Sequence, residues 1–349
     1  MKKKDFKSLT RNELINWFKK EGYPSFRGKQ VFNWIYKNGI DDFGKMNNLP
    51  VSLQKELKEK ASLSNLSLFE VFSADDGTSK FLWEVFDGDK IESVYIPFPE
   101  DGRHSICISS QLGCAMDCQF CATGKGGLER NLTTGEIVDQ VMEIQKIISK
   151  DEYAKPRISN LVFMGMGEPL ANLDNVLKAI EIFNDQEGLD IGMRKITIST
   201  AGLIPQIKKL AEESLQVVLA ISLNAPNNLL RSSLMPINDR YPIEELIATA
   251  KYYIEKTGRR ISFEYVLIDD LNDSIELANQ LAELLKGLLC HVNLIPLNPV
   301  AEFNFKSPSK KAVNDFRDVL QAKGIETTIR QERGKRIEAA CGQLRHLYK

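Results

Sequence analysis

From about residue 104 to about residue 329, short β-rich runs alternate with segments of helical period. That alternation leaves very few architectures open to the chain. The β-rich runs are "HSICISSQ", "NLVFMGMG", "KITIST", "QVVLAISL", "RISFEYVLI", "HVNLIPLN" and "IETTIR". Between the first two, Thr133 and Glu136 form a capping box that opens a helix with Ile137, Val141, Ile144 and Ile148 on one face. "LDNVLKAIEIF", "IPQIKKLAE", "PIEELIATAKYYIEKTG" and "SIELANQLAELLKG" separate the later runs, and a last helix is read near 309–323. Repeated strand–helix–strand units require parallel strands joined by crossover helices. About six units are present, short of the eight of a closed barrel. The reading is an α/β fold, a partial (β/α)6 TIM-type barrel, with a doubly wound sheet as the alternative.

The front of the chain is of another kind. Residues 1–62 read as a small helical unit. Thr10 and Glu13 cap its first helix, Val31, Trp34 and Ile35 give the second an apolar face ending near Gly39, and Pro50 sits near the first turn of the third. Basic residues lie between aromatics in "FRGKQVFNW", a pattern able to face RNA, although a solvated face over an ordinary core explains it as well. Residues 63–100 read as a short β meander with turns at Asp76–Gly77 and Asp87–Gly88. Residues 101–349 form the core unit.

Composition narrows the function classes. With 43% hydrophobic residues over 349 positions there is apolar material for one large core or two unequal domains. A net charge of -1 gives no global attraction to nucleic acid, so any RNA contact must rest on local patches. "MKKKDFKSLTR" lacks the apolar stretch of an export signal, and no run approaches a membrane span. The expectation is a cytoplasmic protein. Six cysteines are too few for a disulfide scaffold in a chain this long and point to metal or chemistry.

In α/β folds of this kind the site lies where strands end and loops begin. After the first strand comes "GCAMDCQFCATG", with Cys114, Cys118 and Cys121 spaced C-x3-C-x2-C. "GMGEP", "STAG", "SLNAP" and "IPLNP" follow later strands and should converge on the same rim. Structural zinc takes four closed ligands and iron–sulfur clusters commonly take four sulfurs. Three thiols on one loop would hold three irons of a four-iron cluster and leave the fourth open. A zinc site completed by a distant Cys or His remains the other reading of the spacing.

"CAMDCQFC" after the first strand of a partial barrel resembles the signature loop of radical S-adenosylmethionine (SAM) enzymes. "GCAMDCQFCATGKGGLERNLTTGEIVDQV", "FMGMGEPLAN", "LMPINDRYPIEEL", "CHVNLIPLNP" and "AACGQLR" together resemble the RlmN/Cfr family of RNA adenine methyltransferases over nearly the whole chain. The resemblance implies a [4Fe-4S] cluster on Cys114, Cys118 and Cys121, with SAM on the open iron. It implies that Cys341 is methylated during the reaction, that Cys107 forms a transient disulfide with it, and that Glu92 accepts a proton. Gly167, Glu168, Ser199, Ser222, Leu223, Asn224 and Asn298 match SAM contacts. Cys290 receives no role. Two positions depart from the family pattern. Asn224 stands where histidine is usual, and "GKRIEAACG" reverses two charges beside Cys341.

The implied reaction is methylation of adenine C2 in 23S ribosomal RNA and in transfer RNA beside the anticodon. Two SAM molecules are consumed per turnover, with electrons from a flavodoxin or ferredoxin and the protein acting as a monomer. The alternatives are methylation at C8 with antibiotic resistance (the Cfr type), a zinc-stabilised RNA-binding protein, and a plain iron–sulfur electron carrier.

Overall fold

The computed structural model describes residues 3–63, 66–150, 156–300, 303–331, 333–334 and 337–344. Three helices open it: α1 (Arg11–Lys20), α2 (Ser25–Tyr36) and α3 (Val51–Lys60). The Thr10–Glu13 capping box forms in both directions. These helices share the main hydrophobic core through Phe6, Leu14, Phe18, Phe32 and Leu57. Polar ties to the barrel include a buried ion pair of Lys7 with Asp139, the Ser8 hydroxyl accepting from the Gly135 amide at 2.8 Å, and ion pairs of Arg11 with Asp185 at 2.8 Å and Glu13 with Lys178 at 2.9 Å.

Ten strands then build one sheet. They are β1 (Leu66–Ser73), β2 (Ser79–Val85), β3 (Lys90–Phe98), β4 (Arg103–Cys107), β5 (Asn160–Phe163), β6 (Ile196–Thr200), β7 (Val218–Ser222), β8 (Ile261–Leu267), β9 (Cys290–Pro296) and β10 (Thr327–Ile329). Their order in the sheet follows the chain from one edge to the other. Strands β1 to β4 are antiparallel neighbours and β4 to β10 are parallel. Each parallel step is made by helix: α4 (Thr134–Ile148), α5 (Leu173–Asn184), α6 (Ile204–Glu212), the run α7 (Asn228–Leu234), α8 (Ile237–Arg240) and α9 (Ile243–Thr257), then α10 (Ile275–Leu285) and α11 (Lys310–Ala322). This is the expected partial barrel and not the doubly wound alternative, because the strand order runs one way along the sheet without a reversal. The meander, read from the sequence as a separate stretch, is hydrogen-bonded into the same sheet through β3 and β4. Sequence reading also passes over α7 and α8, which are short and lack an apolar repeat, and over a small antiparallel pair, Gln111–Gly113 with Leu128–Asn131.

Alternation divides the meander into two faces, because paired residues on adjacent strands point the same way. Phe81, Trp83 and Ser93 face α4: the Trp83 indole donates to Ser93 Oγ, which donates to Gln140 Oε1 at 2.7 Å. The other face carries Lys80, Leu82, Glu92 and Val94, and the register pairs Val94 with Cys107. No helix covers that face among the described residues. The segment around Cys341 does, and Lys80 Nζ donates to the Glu338 carbonyl at 3.5 Å. Among the described residues no helix is long and apolar enough to cross a membrane.

Candidate active site

The cysteine loop is closed at its base by the small antiparallel pair. Gly113 makes that closure possible: its φ is 74°, and a Cβ there would stand 2.0 Å from the Gly127 carbonyl oxygen. Cys114 donates its amide to that same oxygen at 2.8 Å, and Cys121 donates to the Cys118 carbonyl at 3.0 Å. The three thiols face one cleft. Burial pushes each of them up, Cys114 to about 12, and the Cys121 and Cys114 sulfurs add to the effect on Cys118. Thiols held neutral by burial ionise when a metal cation supplies the compensating charge.

The remaining walls come from the ends of the parallel strands, as the sequence rule expects. The cleft spans about 900 Å³ including its mouth, and it is lined by Gly167, Glu168, Ser199, Ser222, Asn298 and Cys341, among others. Gly167 lies at φ 99°, where a Cβ would stand 2.5 Å from Gln111 Cβ, so the "GMGEP" loop lies directly on the stretch leading into the cysteines. Glu168 is 3% exposed. Its carboxylate accepts from the amides of Leu170 at 3.0 Å and Ala201 at 2.7 Å, and burial still raises it to about 7. Asn298 donates to the Cys341 carbonyl at 3.4 Å, and its buried Oδ1 has no partner among the described residues.

Leu223 and Asn224 are not among the lining residues. Leu223 is fully buried, and its amide donates to the Glu264 carbonyl at 3.0 Å. Asn224 has φ 61°, a conformation that asparagine tolerates. Its Oδ1 accepts from the Val266 amide at 2.8 Å and its Nδ2 donates to Met235 Sδ at 3.1 Å. The amide in place of histidine therefore serves the loop backbone behind Met235.

A second cavity adjoins the first. Met164, Ile295, Asn298 and Cys341 line both, and Cys107 lines the second. Cys341 thus stands at the partition, within one cavity of the three thiols and within the other of Cys107. All six cysteines are free thiols. Burial, and then the Cys341 sulfur, pushes the Cys107 thiol up to about 12. The segment carrying Cys341 is held on both sides. Gly342 accepts from the Ala122 amide at 2.8 Å and Leu344 from Thr123 Oγ1 at 2.7 Å, both from the cysteine loop. On the meander side, Asp76 Oδ2 accepts from the Gly334 amide at 3.1 Å and Arg333 donates to the Pro97 carbonyl at 3.1 Å. The two basic residues of the departing "GKRIEAACG" stretch, Lys335 and Arg336, lie outside the described residues.

Glu92 is 1% exposed on β3, and its Oε1 lies 3.0 Å from Lys80 Nζ. Two arginines escaped the sequence reading. Arg330 directly follows β10, beside both cysteines of the pair, and the neighbouring Cys341 sulfur raises its guanidinium above the ordinary value. Its place at a parallel strand's end is the signal that would have found it. Arg231 is fully buried and donates to the carbonyls of Ala201, Ser222 and Leu223, tying two rim loops together. Only the fold reveals it.

Three soft sulfur donors facing one cleft suit iron or zinc and not magnesium or calcium. Among the described residues, no three thiol, imidazole or carboxylate groups converge as ligands of one ion. Separate thiols around a shared space fit a cluster whose corners are distinct metals. The buried Asn298 Oδ1, without a partner among the described residues, leaves a polar acceptor at the cleft.

Comparisons with known proteins identify the family. Residues 108–281 match the Radical SAM superfamily and residues 4–63 match the ribosomal RNA large subunit methyltransferase N-terminal domain. A probable dual-specificity RNA methyltransferase RlmN of Caldicellulosiruptor saccharolyticus is 49% identical over 98% of this chain and 97% of its own. The chain belongs to the RlmN family. A protein of the same description from Geobacillus thermodenitrificans is 46% identical, covering 97% of this chain and 92% of its own. The crystal structure of a radical SAM methyltransferase from Sphaerobacter thermophilus superposes with a TM-score of 0.93 at 46% identity, over 98% of this chain and 99% of that one. Membership in the RlmN family makes this a radical SAM methyltransferase, whose cofactors are a [4Fe-4S] cluster and SAM.

Proposed function

We propose that this chain methylates C2 of adenine in 23S ribosomal RNA and in transfer RNA beside the anticodon, through an S-methylated Cys341. One observation carries the reading: Cys341 lies at the partition of two cavities, one lined by the three clustered thiols and the other by Cys107. Adenine C2 is electron-poor and has no lone pair, so it cannot attack a sulfonium methyl group itself. A protein thiolate can, which splits the task as covalent catalysis does. Cys341 takes the methyl group by displacement.

Cys114, Cys118 and Cys121 would hold the cluster, which when bound supplies the electron that cleaves a second SAM and so activates the methyl group. Gly167, Glu168, Ser199, Ser222 and Asn298 line the space for SAM, and Leu223 and Asn224 support it from behind. Cys341 then carries the methyl-derived carbon to the base. Glu92 accepts the ring proton. The adduct gives back the one electron that was supplied, and Cys107, as a thiolate, attacks the Cys341 sulfur. The S–S bond forms, and the C–S bond breaks with its electron pair going to the product carbon, which takes up a proton. The disulfide is reduced by two electrons from a reductant before the next turnover.

RNA is the substrate, and the helical unit at 1–62 is the part we assign to holding it. Phe26 is half-exposed with the Arg27 guanidinium 4.8 Å from its ring centre, and Lys19, Lys20 and Lys29 are exposed nearby in sequence. Such pairs suit unstacked bases and phosphates. The reductant is a flavodoxin- or ferredoxin-type protein, and the enzyme works as a cytoplasmic monomer.

The test is Cys341→Ala in the reconstituted holoenzyme with unmodified RNA. Methylation should fall to background while SAM cleavage continues. Product formation by this variant would overturn the reading, and mass spectrometry of the wild-type product decides between C2 and C8.

A further inference from the structure

Lys80 is a buried lysine that the reaction scheme leaves unused. It is 4% exposed on β2, with Nζ 3.0 Å from Glu92 Oε1 and 3.5 Å from the Glu338 carbonyl, and 5.2 Å from the Phe72 ring centre. Strand register puts it on the same sheet face as Glu92 and Cys107: Lys80 pairs with Val94, Val94 pairs with Cys107, and Glu92 lies two residues from Val94. The Cys341 segment closes over that face. A carboxylate at 1% exposure either has a cationic partner or takes up a proton. A protonated carboxyl cannot accept another proton. On the opposite face of the same strands, the described polar groups Trp83, Ser93 and Gln140 are joined by neutral hydrogen bonds. The fold therefore does not need a buried ion pair to pack a meander face, and apolar pairs of similar volume commonly stabilise as well.

We propose that Lys80 is a positioning residue for the methyl transfer, holding Glu92 as a carboxylate beside Cys107 and registering it to the segment that carries Cys341. The inference rests on the reading of Glu92 as proton acceptor. It assigns the lysine no proton transfer of its own.

The experiment is a double-mutant cycle in cluster-reconstituted holoenzyme with SAM, reductant and unmodified transfer RNA. Wild type, K80M, K80R, E92Q and the K80M/E92Q pair are compared for kcat, for KM of the RNA and for SAM cleavage without RNA. K80M should lower kcat about 10- to 100-fold with little change in KM. K80R should recover most of the loss. K80M added to E92Q should cost no further rate, since two residues acting as one unit are not additive. An unchanged kcat in K80M alongside a slow E92Q overturns the lysine inference alone. Losses that multiply in the pair do the same, by showing that the lysine acts apart from the carboxylate. Full activity in E92Q sinks the proton-acceptor reading, and this inference with it. Should K80M not load its cluster, K80Q carries the same comparison.

Discussion

The cysteines fall into two sets that are built in opposite ways. Cys114, Cys118 and Cys121 share one loop, whose base is closed by Gly113 and Gly127 and whose shape is set by local backbone bonds. Cys107 and Cys341 come from the end of β4 and from a segment that follows the last strand, and they share a cavity only because the sheet is complete. The first set, the proposed ligand array, is specified by eight residues. The second is a product of tertiary structure, held by ties from the meander on one side and the cysteine loop on the other. On the proposed reading, a site of this design separates making a reactive group from delivering it.

Removing one member of the local set should have the largest effect. Cys118→Ala should abolish cluster loading, with SAM cleavage and RNA methylation both lost, as read by iron content and by the electron paramagnetic resonance signal of the reduced protein. An intact, SAM-responsive signal would show that the loop thiols are not the cluster's ligands. Removing the distant partner should act later and less completely. Cys107→Ala should keep its cluster and cleave SAM, while product turnover falls on the order of 100-fold or more and RNA becomes covalently retained on Cys341. A denaturing gel reads this directly, and free turnover without retained RNA would break the pairing.

The smallest effect concerns the cleft without its cofactors. Burial raises Glu168 to about 7 from an ordinary 4.5. The folded state then holds a proton that the unfolded state releases, so this group's contribution falls as pH rises from about 4.5 to about 7. The change is on the order of 1–3 kcal/mol. In the apoprotein, Glu168→Gln should flatten the decline of Tm over that window. An equal slope in both proteins would mean that the carboxylate is compensated without its ligand.

Legibility in the sequence follows the same division. The parallel strands were readable because the hydrophobic period switches repeatedly, and the capping boxes at Thr10 and Thr133 mark two helix starts to the residue. The cysteine loop, "GMGEP" and Asn298 were placed by the rule that strands end at the site. What pattern alone does not reach is non-local. Nothing in "SICISS" or "EAACG" says that the two will meet, so Cys107 and Cys341 were paired only through family resemblance. Arg231 reads as one more helix residue until its three carbonyl partners are seen. The meander's continuity with the barrel depends on the β3–β4 pairing, which a turn signal cannot report.

The closing of the Cys341 segment over the meander also sets an order in time. Lys80 and Glu338 are 258 positions apart in the chain, and Asp76 and Gly334 are equally distant. During synthesis the hairpins, the cysteine loop and all ten strands leave the ribosome before Cys341, the proposed methyl acceptor, does. A product cut short ahead of residue 341 could fold much of the sheet and keep the three cluster thiols, yet it would have no group on which to carry a methyl. On the proposed reading, methyl carriage to RNA thus waits until translation has passed almost the whole of this sequence, whereas SAM cleavage does not.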